Sequence, residues 1–171
     1  MRLPDPNAQG PFLRRVKEVL ERWTQAQRFL SAYDVAGGRV VPTSWVDMLF
    51  DSADIAGEGL SLANGVVIFQ KSGWYSVQYD ATCQCSSTTG YYTAFRLMKD
   101  VGNGWSEVPG SMAYGYCRTT VIPYGACSCS RLMMVKANTK MKVQAMSTHD
   151  TEVITTKNAC RLTVESKIYG D

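Results

Sequence analysis

Histidine occurs once in the 171 residues, at position 149. A nucleophile–base arrangement of the Ser–His–Asp type has only that residue to draw on. It stands in the polar run Ser147-Thr148-His149-Asp150-Thr151, which reads as a loop, and no Gly-x-Ser-x-Gly elbow accompanies it. A phosphate-binding loop, an HExxH helix and an EF-hand loop are also missing. Gly57-Glu58-Gly59 lacks the third glycine and the following helix of a dinucleotide motif, so it reads as a turn. The expectation is a protein that is not an enzyme and holds no cofactor. Long apolar runs are absent too. Val66-Val67-Ile68-Phe69 and Leu132-Met133-Met134-Val135 fall far short of the ~20 residues of a membrane helix, so no membrane insertion is expected. The first residues, Met1 to Asn7, contain no apolar h-region. That predicts no cleaved secretory signal and synthesis in a reducing cytoplasm.

Excess charge is missing from most of the chain. The formal net charge is +3. Residues 1–32 carry six basic side chains (Arg2, Arg14, Arg15, Lys17, Arg22, Arg28) against Asp5, Glu18 and Glu21, and the remainder is balanced. A neutral body has no field with which to gather nucleic acid, so none is expected as a partner. The basic N-terminal segment suits either an acidic partner or a solvated helix face.

What is present begins with one helical pattern, from Pro11 to about Ala32. Pro11 suits a first helical position, with Asn7 or Gly10 as the cap. Phe12, Leu13, Val16, Val19, Leu20, Trp23 and Leu30 form a wide apolar stripe through which two overlapping seams run. A helix of about 30 Å gains little from propensity alone and needs a surface to rest on. The stripe is therefore read as a docking or trimerisation element spanning residues 1–36. Gly37-Gly38 and Pro42 mark 37–43 as a linker. A separate domain is expected over 44–171.

There the period changes to two. Tyr75, Val77, Tyr79, Ala81, Cys83 and Cys85 alternate with Ser76, Gln78, Asp80, Thr82 and Gln84, the pattern of a long strand with one face in a core. Shorter strands follow at Tyr91–Met98, Met112–Thr120, Ser128–Lys136, Lys140–Met146 and Ala159–Ile168. Turns separate them at Gly102-Asn103-Gly104, Pro123-Tyr124-Gly125, Ala137-Asn138 and His149-Asp150. The spacing predicts a mainly β, antiparallel sandwich, barrel or jelly roll preceded by one N-terminal α-helix, and it excludes βαβ folds.

The stretch Asn64-Gly65-Val66-Val67-Ile68-Phe69-Gln70-Lys71-Ser72-Gly73-Trp74-Tyr75-Ser76-Val77-Gln78-Tyr79 resembles the signature of C1q/TNF-like jelly rolls. Arg131 to Ala145 is similar to that family's later strand pair, and Cys160 to Ile168 to its last, central strand. The resemblance spans roughly Val46 to Ile168. It implies a jelly-roll sandwich that assembles as a homotrimer. Animal members are secreted and often follow a collagen stalk, but Gly-X-Y repeats and Asn-x-Ser/Thr sequons are absent here. One short basic helix before a jelly roll looks more like phage virion proteins. The expectation is a capsid decoration protein or head fibre at the virion surface, docked on a capsid or tail protein through its N-terminal helix. The alternatives are a tail-fibre head that recognises host surface carbohydrate and a secreted bacterial C1q-like binding module.

Two residue sets remain. Cys83/Cys85 and Cys127/Cys129 are Cys-x-Cys pairs, each with both thiols on one strand face. Cys117 and Cys160 complete the six. Three readings stay open: reduced core cysteines, a disulfide formed later, and a tetrahedral zinc site built from the two pairs. Tyr91, Tyr92, Tyr114, Tyr116 and Tyr124 cluster in the middle third. If exposed, they suit sugar stacking or a subunit interface. Asp51 and Asp54 offer the oxygen donors that Ca²⁺ takes, without a residue-level calcium motif around them.

Overall fold

The computed structural model describes residues 10, 13–18, 28–86, 90–118, 124–149 and 153–167. Residues 13–18 are helical, and an i,i+4 ion pair between Arg14 Nε and Glu18 Oε1 (3.5 Å) runs along them. Leu13 and Val16 are exposed. Among the described residues every other element is a strand: β1 (Phe29–Tyr33), β2 (Val46–Asp47), β3 (Ser52–Ala56), β4 (Leu60–Ala63), β5 (Val66–Phe69), β6 (Gly73–Cys85), β7 (Tyr91–Asp100), β8 (Trp105–Glu107), β9 (Ala113–Cys117), β10 (Tyr124–Val135), β11 (Thr139–Ser147), β12 (Val153–Thr155) and β13 (Arg161–Lys167).

The strands form two antiparallel sheets. The first runs β10-β6-β13-β1-β3, with β12 also on β6. The second runs β4-β5-β11-β7-β8, with β2 on β11 and β9 on β7. Neighbours distant in sequence lie side by side, so the connections cross between sheets as in a jelly roll. The inward rows fill the space between. Tyr75, Val77 and Tyr79 of β6 meet Phe95 and Leu97 of β7 and Met141 and Val143 of β11, all buried. The Tyr79 hydroxyl reaches the carbonyls of Phe95 (2.9 Å) and Ser111 (2.6 Å) in the opposite layer, which satisfies a buried polar group and ties the sheets together.

Two expectations are corrected. The helical stripe does not continue to Ala32. Phe29–Tyr33 is the strand β1, enclosed between β13 and β3, with Leu30 opposite Val164 and Ile55. Leu30 and Ala32 are fully buried in the sandwich, so Leu30 is core and not a docking residue. Pairing on both edges outweighs a helical periodicity whose local preference is worth only tenths of a kcal/mol per residue. Nor is 37–43 a free linker. Gly38 N donates to Thr155 O (2.8 Å) and Val41 N to Val153 O (2.9 Å), and Val41 is buried. Asp34, fully buried, accepts from Gly37 N (2.9 Å) and Thr155 Oγ1 (3.0 Å). The jelly roll therefore begins near residue 28 rather than 44. Of the other stripe residues, Phe12, Val19, Leu20 and Trp23 lie outside the described residues.

The long strand, by contrast, spans Gly73–Cys85 as the alternation predicts. The hairpin between β4 and β5 carries an Asn-Gly turn. Asn64 and Gly65 both have positive φ (51° and 75°) in the hairpin joining β4 to β5, the conformation that Asn-Gly favours. A Cβ at Gly65 would stand 2.3 Å from the Met48 carbonyl oxygen, so the position requires glycine.

The placement of β1 sets where the chain can be cut. Removing residues 1–27 should leave a cooperative, β-rich protein by circular dichroism and thermal melting. Removing 1–36 takes out a strand paired on both sides and should give an unfolded or aggregated product. A folded 37–171 fragment would contradict the role of β1.

Candidate functional site

The outer face of the second sheet carries a chain of paired polar groups. Arg96 on β7 binds Glu107 on β8 through Nη1 (3.1 Å) and Gln144 on β11 through Nη2 (2.8 Å). Gln144 Nε2 and Lys142 Nζ then donate to the two Asp47 oxygens at 2.8 and 2.7 Å. Trp45 lies 3.9 Å from the Arg96 guanidinium carbon, and Trp105 lies 4.2 Å from Lys142 Nζ, both measured to the ring centroid. Burial opposes the charge on Asp47, but the bonds from Lys142 and Gln144 and the lysine's charge outweigh it and hold the carboxyl below its usual range. These groups satisfy one another, so this part of the face leaves little demand for a partner.

The tyrosines differ. Tyr92 on β7 pairs with Tyr116 on β9, and Tyr114 follows two residues along. The Tyr92 and Tyr116 rings are 4.7 Å apart. Tyr92, Tyr114, Tyr116 and, at the start of β10, Tyr124 are 47–66% exposed. Tyr91 faces inward and stacks on His149 at 4.7 Å. Tyr92, Tyr114 and Tyr116 therefore form an aromatic surface on the outer face of β7 and β9, while Tyr124 is exposed on β10 of the other sheet. An apolar group of Trp74, Leu132 and Met134, all exposed, lies farther along β6 and β10, where Met134 pairs with Trp74.

The cysteines gather at the tyrosine end of the interior, on and around β6 and β10, but not as a metal centre. Cys127 pairs with Ala81, Cys129 with Tyr79 and Cys83 with Gly125, so the two Cys-x-Cys pairs are staggered along their strands. Among the described residues no group of three or more His, Cys, Asp or Glu side chains is placed to hold a metal. The register does not bring Cys83, Cys85, Cys127 and Cys129 together as one set of four ligands. All six cysteines are free thiols. Cys117 donates weakly to Cys83 O and Cys160 to Thr82 O, each at 3.5 Å. Burial and the nearby Cys85 push the Cys117 thiol up to about 11. Burial and the nearby Cys160 and Asp80 push Cys127 up to about 12. Asp51 is likewise occupied: it accepts from Val35 N (2.7 Å) and Ala36 N (3.3 Å) and pairs with Arg39, while Asp54 sits in β3.

The two sheets, their strand order and their crossing connections decide the fold. It is a TNF-like jelly roll. Murine APRIL at pH 8.0 superposes with a TM-score of 0.62 at 9% identity, over 82% of this chain and 99% of that one. An Eiger TNF from S. frugiperda superposes at 0.58 and 12% identity, over 85% and 94%. No family model matches the sequence, and no curated protein does. At such identities the likeness establishes the fold.

The thiols predict an alkaline weakness. The unfolded chain releases thiol protons from about pH 9, whereas Cys117 and Cys127 retain theirs to about 11 and 12 when folded. Between those values the folded state binds more protons, so stability falls as pH rises. Melting temperature should drop between about pH 7.5 and pH 10.5, and the drop should be smaller in Cys127→Ala. An identical pH dependence in the variant would show that the thiol is not buried in solution.

Proposed function

We propose that this chain is a non-enzymatic structural protein of a phage virion, a capsid decoration or head-fibre subunit. It assembles as a homotrimer and is anchored by its N-terminal segment. The observation that carries the reading is a TNF-like jelly roll closed from residue 28 onward, preceded by a basic helical segment whose Leu13 and Val16 are exposed. Such a helix needs a surface that it does not supply itself. The trimer follows from the family resemblance. It is supported by two separate exposed apolar areas on one chain, the tyrosine side and the Trp74–Leu132–Met134 group. Dissimilar patches that meet head to tail close a ring when the rotation allows it. In the sequence, Phe12, Val19, Leu20 and Trp23 continue the apolar pattern of Leu13 and Val16.

Light scattering should give a mass near three times 18.9 kDa for the full chain. A stable monomer at micromolar concentration would defeat the trimer. Removing residues 1–27 should abolish co-sedimentation with particles. Trp23→Ala should weaken attachment by about 3 kcal/mol while leaving the melting of the sandwich unchanged. Retained attachment after the deletion would move the anchor into the jelly roll.

The exposed, closely spaced Tyr92 and Tyr116 favour a second reading, a module that stacks sugars of the host surface on those rings. Tyr116→Ala separates the two. Loss of the trimer assigns the ring to a subunit contact, whereas an intact trimer with lost glycan-array binding assigns it to a receptor.

A further inference from the structure

β10 is about 36 Å long at the usual rise per residue, and its far end lies well away from the tyrosines. There the two sheets part around a cavity of about 430 Å³. It lies between the edge strand β10 and the ends of β7 and β11, with the Val108–Pro109 turn as one wall. Its size falls within the range of small-molecule sites.

Register shows which way its charges point. Arg131 pairs with Val77, a fully buried core residue, so Arg131 stands in the inward row of β10. Lys99 pairs with Met141, also buried, so Lys99 stands in the inward row of β7 directly after Leu97. Two cations thus enter the gap from opposite sheets, and Lys136 adds a third at the rim. Among the described residues no carboxylate lines the cavity. Among the described residues none of the three cations makes an ion pair. Arg131 donates one Nη2 bond to the Gly110 carbonyl, and its Nε is buried without a partner. Thr139, 2% exposed, lines the same space, and its Oγ1 has no hydrogen-bond partner. The remaining walls are apolar, among them Val108, Met133 and Met141.

Inward-facing cations in an apolar gap are costly unless an anion meets them, and an unpaired buried hydroxyl adds to the cost. One ligand chemistry answers both demands. We propose that this cavity binds an amphiphilic anion, an organic carboxylate carried on an apolar chain. The carboxylate lies between Lys99 and Arg131 and accepts from Thr139 Oγ1, while the chain lies along Met133 and Met141. The site is separate from the anchor and from the tyrosine surface, and it shares Leu132 and Met134 with the second exposed apolar area.

Calorimetric titration of the full-length protein in its assembled state tests this, with decanoate, decanol and acetate as probes. Decanoate should bind with a Kd of about 100 µM or tighter, and decanol and acetate at least about tenfold more weakly. Lys99→Met should weaken decanoate about tenfold, and Thr139→Val about threefold, with melting temperatures close to that of the parent. Lys99 and Thr139 are chosen because Arg131 also holds the Gly110 carbonyl, and its loss puts folding at risk. Equal binding of decanol would reduce the cavity to an apolar crevice, and equal binding of acetate to a bare anion site. Either result overturns the proposal, as does an absence of decanoate binding or an unchanged affinity in folded Lys99→Met.

Discussion

The alternation of β6 is the constraint on which the sandwich depends. Its inward row of Tyr75, Val77, Tyr79, Ala81, Cys83 and Cys85 is buried throughout. β10 pairs along one edge of it, and β13 and β12 follow one another along the other. A slip of one residue on any of these ladders would turn a whole row of side chains from core to solvent. Thirteen residues of strict alternation leave one register that buries the apolar set. β13 then carries that choice to β1, and β1 to β3. The Tyr79 hydroxyl carries it across the gap to the other sheet.

The same logic explains why the N-terminal boundary falls at residue 28. β1 has partners on both edges, and Arg28 N donates to Ser166 Oγ (2.8 Å) while Arg28 Nη1 reaches the Tyr75 hydroxyl (3.1 Å). Just after β1 the buried Asp34 gathers Gly37 N, Thr155 Oγ1 and, at 3.5 Å, Arg39 Nε. A carboxylate out of water is tolerable when its lone pairs are filled in this way. It fixes the turn that sends the chain along β12 and back across the molecule. The glycines that look like a hinge in the sequence are held by that carboxylate and by the Thr155 carbonyl.

The sequence made the long strands legible because period two over many residues has one structural meaning, whereas the choice of a jelly roll among antiparallel β folds rested on the resemblance carried by residues 64–79. It failed at Phe29–Tyr33, where Leu30 satisfies a helical seam and an alternating strand equally well. Five residues are too few to separate the two periods. Only the partners β13 and β3, more than 100 and about 20 residues away, settle the matter. The cysteines show a second limit. Their spacing established that each pair shares a face, but the zinc reading needed the inter-strand register, which pairs Cys127 with Ala81 instead of Cys83. The tyrosine cluster was visible as composition, and which rings face outward followed once β7 and β9 were paired.

Lys99 and Arg131 each continue an inward row that is mostly apolar. In isolation a lysine or arginine near a strand end reads as the solvated tip of that strand. Knowing that Leu97 and Val77 are buried converts the same residues into charges aimed between the sheets. The two ends of the sandwich thereby acquire opposite chemistry. At the end near Cys83 and Cys127 the interior is closed by small thiols with raised proton affinity, and the one buried carboxylate beside them, Asp34, is held on its own donors. At the end near Thr139 the cavity is lined by long cationic side chains whose apolar stems can cover the walls while their heads stay polar. A core that had to be sealed at both ends would place Leu or Val at 99 and 131. Cations there keep the gap from collapsing, because closing it would bury two like charges without a counter-ion.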